Sequence, residues 1–292
     1  MYKAIAANKR NTILIMALFV GIIGAIGWVV SNYYGDINIT YYVIAVASIY
    51  AFIQYFLATK ISIAMTGARQ IEKRDSPRFY RIVENLAITT GMQTPKIYII
   101  DDVAPNAFAT GRDPKHAIVA ATTGLIDIMD DSELEAVMAH EMGHVQNYDI
   151  RIGMIAFGLA SAIGLLSDIV LRMFIFGDRD SDSNSSPVAM IAGIVVIILA
   201  PIIAAIIQMA ISRQREFLAD ATSAMTTRNP ESLASALEKL QTQGRPMKKQ
   251  NTASAHLFFA NPLKPGFMAK LFSTHPPLEE RIARLRNNEG KF

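Results

Sequence analysis

Residues 135 to 149, EAVMAHEMGHVQNYD, hold two of the chain's five histidines, His140 and His144, four positions apart with Glu141 directly after the first. On a helix, positions i and i+4 are neighbours on one face. The two imidazoles can therefore be presented to a single point. Neutral imidazole nitrogen is a good zinc ligand, at about 2.0–2.1 Å. Glu141 is offset to the side where a water on that metal would lie, which suits a general base. H-E-x-x-H is thus two ligands plus a base for hydrolysing a peptide bond. The chain has no cysteine, so disulfides and thiolate ligands are both excluded. Any metal must be held by His, Asp or Glu.

The helix that positions these residues is marked in the sequence. DSELEAVMAHEMGHV offers Ser132 as N-cap with Glu135 three residues later, a capping box. Leu134, Val137, Met138 and Val145 supply an apolar stripe. A zinc site that keeps one position open for water needs a third protein ligand. His116, His256, His275 and the acidic residues compete for that place, and Glu216 is the best candidate. It lies in RQREFLAD, a helical pattern, with Asp220 four residues on along the same face. Glu216 would bind the metal, and Asp220 would accept the free ring N–H of a ligating histidine and fix its tautomer.

The composition says where this helix sits. The chain of 292 residues is 51% hydrophobic and 18% charged, whereas soluble globular chains carry about 25% charged residues. The apolar excess falls in four runs, at 12–30, 39–58, 152–176 and 188–211, each of a length that crosses a bilayer as a helix. The first run is longer than the apolar core of a cleaved signal peptide. The third contains Asp168 and Arg172, spaced to pair on one face near its far end. Pro201 would kink the fourth. Lys3, Lys9 and Arg10 precede the first run; Lys60, Arg69, Lys73 and Arg74 follow the second; Arg213 and Arg215 follow the fourth. The connecting loops SNYYGDIN and GDRDSDSNSSP are poor in basic residues. The positive-inside rule then places both termini and both long polar segments in the cytoplasm. The expected organisation is a transmembrane hairpin (1–59), a first catalytic part (60–151), a second hairpin (152–211) and a second catalytic part (212–292). A net charge of +3 is too small to argue for nucleic-acid binding.

Within the polar segments, DSPRFYRIVENLAITTGM reads as an amphipathic helix with Ser76 as N-cap, Pro77 at its first position and Gly91 past its end. PKIYIID, NAFATG and HAIVAAT are β-rich and predict a small antiparallel sheet with a hairpin at GRDPK. SRQREFLADATSAM, NPESLASALEKL and THPPLEERIARL predict helices. The fold class expected is mainly α: a multi-pass membrane protein with four transmembrane helices and a cytoplasmic α+β metalloprotease domain of the zincin type.

HEMGH, SRQREFLAD, NAFATG and THPPLEERIARL, distributed around four apolar runs, together resemble the HtpX family of membrane zinc metalloproteases, relatives of the CAAX prenyl proteases. The resemblance covers nearly the whole chain, although residues 242–272 carry no transferable motif. It implies a protease of the bacterial or archaeal cytoplasmic membrane that acts in stress response and quality control on protein substrates, especially damaged membrane proteins. It also implies one Zn2+ per chain held by His140, His144 and Glu216, with Glu141 as base. Resemblance to the prenyl proteases makes His275, in THPP, a candidate donor to the oxyanion. Arg281 would serve the same end or cover the surface. The strand at Asn106, Ala107, Phe108 and Ala109 would edge the cleft and pair with an extended substrate through its backbone. Two other readings compete. A CAAX-type processing protease would need a larger chamber than four spans enclose. A non-catalytic scaffold or transporter with a retained metal site would rest on Asp168 and Arg172 alone, which are better read as a structural pair. At about 1.5 Å per helical residue, the zinc would lie about 7–12 Å from the membrane edge.

Overall fold

The computed structural model describes residues 2–156, 158–159, 213–249, 255–262 and 276–287. The first two apolar runs lie within helices α1 (Tyr2–Tyr34) and α2 (Asn38–Thr66). Both are long and apolar enough to cross a membrane, over Ala6–Trp28 and Asn38–Thr66. Large apolar side chains such as Ile13, Trp28, Tyr42, Val46 and Phe52 point outward, as helices facing hydrocarbon require. The facing sides carry Ile15, Phe19, Ala47, Ala51 and Ala58, which pack with Ile152, Ile155 and Leu159. The third apolar run therefore begins as a helix seated on α1 and α2. Its remainder, with Asp168 and Arg172, lies outside the described residues, as do the fourth run and His275.

Between the membrane helices and the metal motif come β1 (Arg69–Gln70), α3 (Pro77–Thr89), β2 (Lys96–Ile100), β3 (Ala107–Thr110), β4 (Ile118–Thr122), α4 (Thr123–Ile128) and α5 (Asp131–Gln146). Beyond residue 212 come α6 (Arg213–Thr227), α7 (Pro230–Gln243) and α8 (Leu278–Asn287). Pro77 does open α3, but the hydroxyl of Ser76 makes no capping bond. Phe79, Val83 and Leu86 turn the apolar face of α3 into the core, and Gly91 turns the chain away with φ +67.

The sheet is mixed, not antiparallel as the strand pattern suggested. Its order is β1-β2-β4-β3. The hairpin between β3 and β4 is present, closed through a 3-10 turn at Pro114–His116 in which Asp113 accepts the His116 N–H. Residues 101–106, however, carry the chain past the place beside β2. The returning strand β4 drops into that place and runs parallel to β2. β4 is buried along its whole length, as a strand covered on both faces must be. Val119 and Ala121 join the core against α5, while Ile118 and Ala120 join Phe108, Met247 and Phe258 on the other face.

α5 is the central element, packed against α3 and the sheet and against α6 and α7. Its start differs from the expected Ser132–Glu135 box. The N-cap is Asp130, whose carboxylate accepts the Glu133 N–H at 2.9 Å, while Glu133 accepts the Asp130 N–H at 2.9 Å. Asp130 and Glu133 offer the same spacing two residues earlier. Glu133 is also buried where Ser235 and Lys239 of α7 donate to it, whereas Glu135 is only partly buried. The cap thus fastens α5 to α7 as well as starting the helix.

Candidate metal centre and active site

α5 and α6 meet through small residues. A side chain at Gly143 would sit 3.3 Å from Thr222 and 3.6 Å from the Ala219 backbone. The Ser223 hydroxyl donates to the Ala136 carbonyl at 2.6 Å. This close crossing brings Glu216 of α6 to the face of α5 that carries both histidines.

The three donors converge. His140 Nε2 and His144 Nε2 are 3.1 Å apart. Glu216 Oε1 lies 3.4 Å from His144 Nε2, and Oε2 lies 3.7 Å from His140 Nε2. Two atoms each about 2.05 Å from a tetrahedral ion are about 3.3 Å apart. The spacing of the donor set is therefore that of one zinc ion, and its two imidazoles and one carboxylate are the chemistry zinc takes.

Each imidazole is held from behind by a carboxylate. Asp220 Oδ1 is 2.9 Å from His140 Nδ1, and Asp149 Oδ2 is 3.0 Å from His144 Nδ1. Both Nδ1 atoms then carry the proton, and both Nε2 atoms turn a lone pair to the centre. Arg281 Nη2 also approaches His140 Nδ1, at 3.4 Å. A guanidinium only donates, so against this N–H the contact is a close approach and not a hydrogen bond. The surroundings push the two histidines apart in basicity. Burial, with the Arg281 charge beside it, lowers the His140 pKa. Burial opposes protonation of His144 too, but the Asp149 hydrogen bond and the charges of Glu216, Asp149 and Glu141 outweigh it and raise that pKa.

Arg281 does not cover the surface; it is fully buried. Its Nε and Nη2 donate to the two oxygens of Asp220, at 2.9 and 2.6 Å. Burial alone would raise the Asp220 pKa, but the Arg281 charge and the His140 hydrogen bond hold it below the usual carboxylate range. Arg281 Nη1 lies 3.9 Å from Glu216 Oε2. The guanidinium stacks over Phe259, whose ring also meets His140 edge-on at 4.9 Å. Glu141 is 3% exposed on the same helix as the ligands, close enough for its charge to act on both His144 and Arg281.

Of the other expected residues, His116 is exposed and engaged with Asp113 at 2.7 Å. Asn106 is buried and its amide is already occupied. It donates to the Ala260 carbonyl at 2.8 Å and accepts the Ala260 and Ala107 N–H groups. Phe259 N–H donates to the Ala107 carbonyl at 2.8 Å, and Phe108 forms a single bridge with Phe258. The chain's own residues 258–260 thus lie along the outer edge of β3 at Ala107 and Phe108. Sequence reasoning missed Asp149 and Phe259. A signal for Asp149 existed: each ligating histidine needs its own acceptor, and Asp149 is the acidic residue next after His144.

The family model for peptidase family M48 matches residues 73–289. The chain is 52% identical to a protease HtpX homolog of Tropheryma whipplei over 292 residues, covering 100% of each. It is 42% identical to the homolog of Streptococcus gordonii, over 98% of this chain and 99% of the relative, and 42% identical to that of Dictyoglomus thermophilum, over 98% and 94%. Against the crystal structure of S. mikatae Ste24p the identity is 21% and the TM-score 0.49, with 93% of this chain covered; the chain spans 62% of that longer one. A zinc-sized donor triangle completed by Glu216 of α6 over an H-E-x-x-H helix, in a chain matched end to end by HtpX proteases, places this protein in peptidase family M48 as a membrane zinc metalloprotease.

Proposed function

We propose that this protease cleaves misfolded or damaged membrane proteins at segments that emerge on the cytoplasmic side of the cell membrane. The observation that carries the reading is continuity. The helix bearing His140 and His144 leads within a few residues into the helical stretch 149–156, which packs on α1 and α2. A site rooted so directly in membrane helices meets the juxtamembrane parts of other proteins before it meets soluble ones. Two hairpins, at 1–59 and 152–211, would hold the catalytic parts 60–151 and 212–292 on one side, because one metal takes ligands from both parts.

His140, His144 and Glu216 would hold the zinc. When bound, zinc supplies a Lewis acid and lowers the pKa of water toward neutrality. Glu141 takes the proton of the attacking water and delivers it to the leaving amine. Asp220 and Asp149 keep both imidazoles in the tautomer that faces the metal. Arg281 neutralises Asp220, so a buried carboxylate is tolerated beside His140. His275 is the proposed donor to the oxyanion. An extended peptide would lie along Asn106, Ala107, Phe108 and Ala109 by displacing residues 258–260, which pair with that edge through Phe258, Phe259 and Ala260. The end-to-end match to HtpX proteases favours this reading over a CAAX-type processing protease and over a non-catalytic scaffold or transporter.

The test is cleavage of a destabilised membrane protein and of a soluble casein-type substrate by the purified full chain, with and without chelator. Chelator-sensitive cleavage with preference for the membrane substrate is expected. Equal cleavage of both would remove the membrane-protein preference.

A further inference from the structure

The carboxylate that holds His144 does not stand by itself. Asp149 follows α5, and its side chain must reach back five positions to the ligand. The chain reverses between them at Tyr148, a non-glycine residue in the left-handed region with φ 61. Such a conformation is strained for a residue with a side chain and persists only where its surroundings impose it. Here the surroundings include α1. Asn8, near its N-terminal end, is 5% exposed. Its amide nitrogen spends one proton on Asp149 Oδ1 at 2.6 Å and the other on the Asn147 carbonyl at 2.8 Å. Asp149 Oδ2 remains for His144 Nδ1. The next residue, Lys9, sets its ammonium 4.8 Å from the Tyr148 ring centre, and the Arg151 guanidinium lies 4.9 Å from the same ring. Arg215 of α6 approaches Asp149 Oδ1 at 3.9 Å.

We propose that Asn8 is a positioning residue for the metal ligand His144, acting through Asp149, so that the first membrane helix is a working part of the zinc centre. An amide fits this place better than a charged donor. It fixes the turn and orients one carboxylate oxygen without adding a further charge beside the ligands, and the other oxygen is left to accept from the imidazole. A buried asparagine near the end of an apolar helix otherwise has no gain to set against its desolvation. The proposal rests on His140, His144 and Glu216 being the ligands.

The experiment uses the full chain in detergent and reads zinc affinity by competition with a chromophoric chelator, not activity alone. Asn8→Leu keeps the branched shape and removes both donors. It is expected to weaken zinc about tenfold, the lower end of the 10–100-fold range for groups that orient ligands, and to shift the visible spectrum of the cobalt-substituted chain. In an Asp149→Ala background the same substitution should have no further effect, because its path to His144 is gone. Unchanged zinc affinity in folded Asn8→Leu overturns the proposal, and so does a full tenfold loss that persists without Asp149. If Asn8→Leu does not accumulate as folded chain, Asn8→Ser, too short to reach Asp149, is read in the same way. Wild-type chain that takes up no zinc would refute the ligand set; zinc-loaded wild type with an indifferent Asn8 refutes this inference alone.

Discussion

His140 and His144 are oriented by carboxylates from two different places, Asp220 on α6 and Asp149 beyond the end of α5. Asp220→Asn and Asp149→Asn are each expected to weaken zinc binding about 10–100-fold, measured by chelator competition. Full affinity in either variant would reduce that residue to packing. Arg281→Met tests a different dependence. It leaves the Asp220 carboxylate buried without its cation, which costs about 3–5 kcal/mol and should lower the melting temperature clearly. An unchanged melting temperature would mean that Asp220 is neutralised by something else. At this scale the ligands were legible because helical spacing puts His140 with His144, and Glu216 with Asp220, on shared faces. Asp149 was announced only by its place as the next acidic residue after His144; the left-handed Tyr148 that turns it back to the ligand has no sequence pattern. Arg281 read equally as a surface residue, since its burial follows from how α8 packs.

Between elements, the decisive contact is the crossing of α5 and α6 at Gly143. Gly143→Ala gains about 1 kcal/mol in helix propensity. The added methyl presses on the Cβ of Thr222, a stiff β-branched position, and overpacking of this kind costs about 1–3 kcal/mol. The second effect wins. α6 is displaced by tenths of an ångström and takes Glu216 with it. Zinc affinity should fall while the melting temperature changes little or declines. A higher melting temperature with unaltered affinity would show that the crossing has slack. The helices were readable from caps and periodicity, with the start of α5 misplaced by two residues because Asp130–Glu133 and Ser132–Glu135 offer the same box. The parallel pairing of β2 and β4 was not readable. Strand pattern reports burial but not the side on which a returning hairpin inserts.

For the whole molecule, one zinc needs ligands from both polar segments, so the chain between residues 152 and 211 must return to the side it left. Ser183→Cys tests whether it crosses on the way. In this cysteine-free chain, labelling of intact cells by a membrane-impermeant thiol reagent is expected. Labelling only after lysis would mean that this hairpin never crosses. The first two apolar runs were legible as α1 and α2, because transfer of charge into hydrocarbon is costly whatever the fold. The contact between the catalytic part and α1 was not, since Asn8 meets Asp149 across 141 residues of sequence.

Glu141 is expected to perform the proton transfer at a zinc held by other residues. Glu141→Ala, purified as the full chain, tests it when metal content and casein-type cleavage are measured on the same sample. One zinc per chain with cleavage reduced about 10²–10⁴-fold is the predicted result. Wild-type cleavage by this variant, or loss of its zinc, would contradict the assignment.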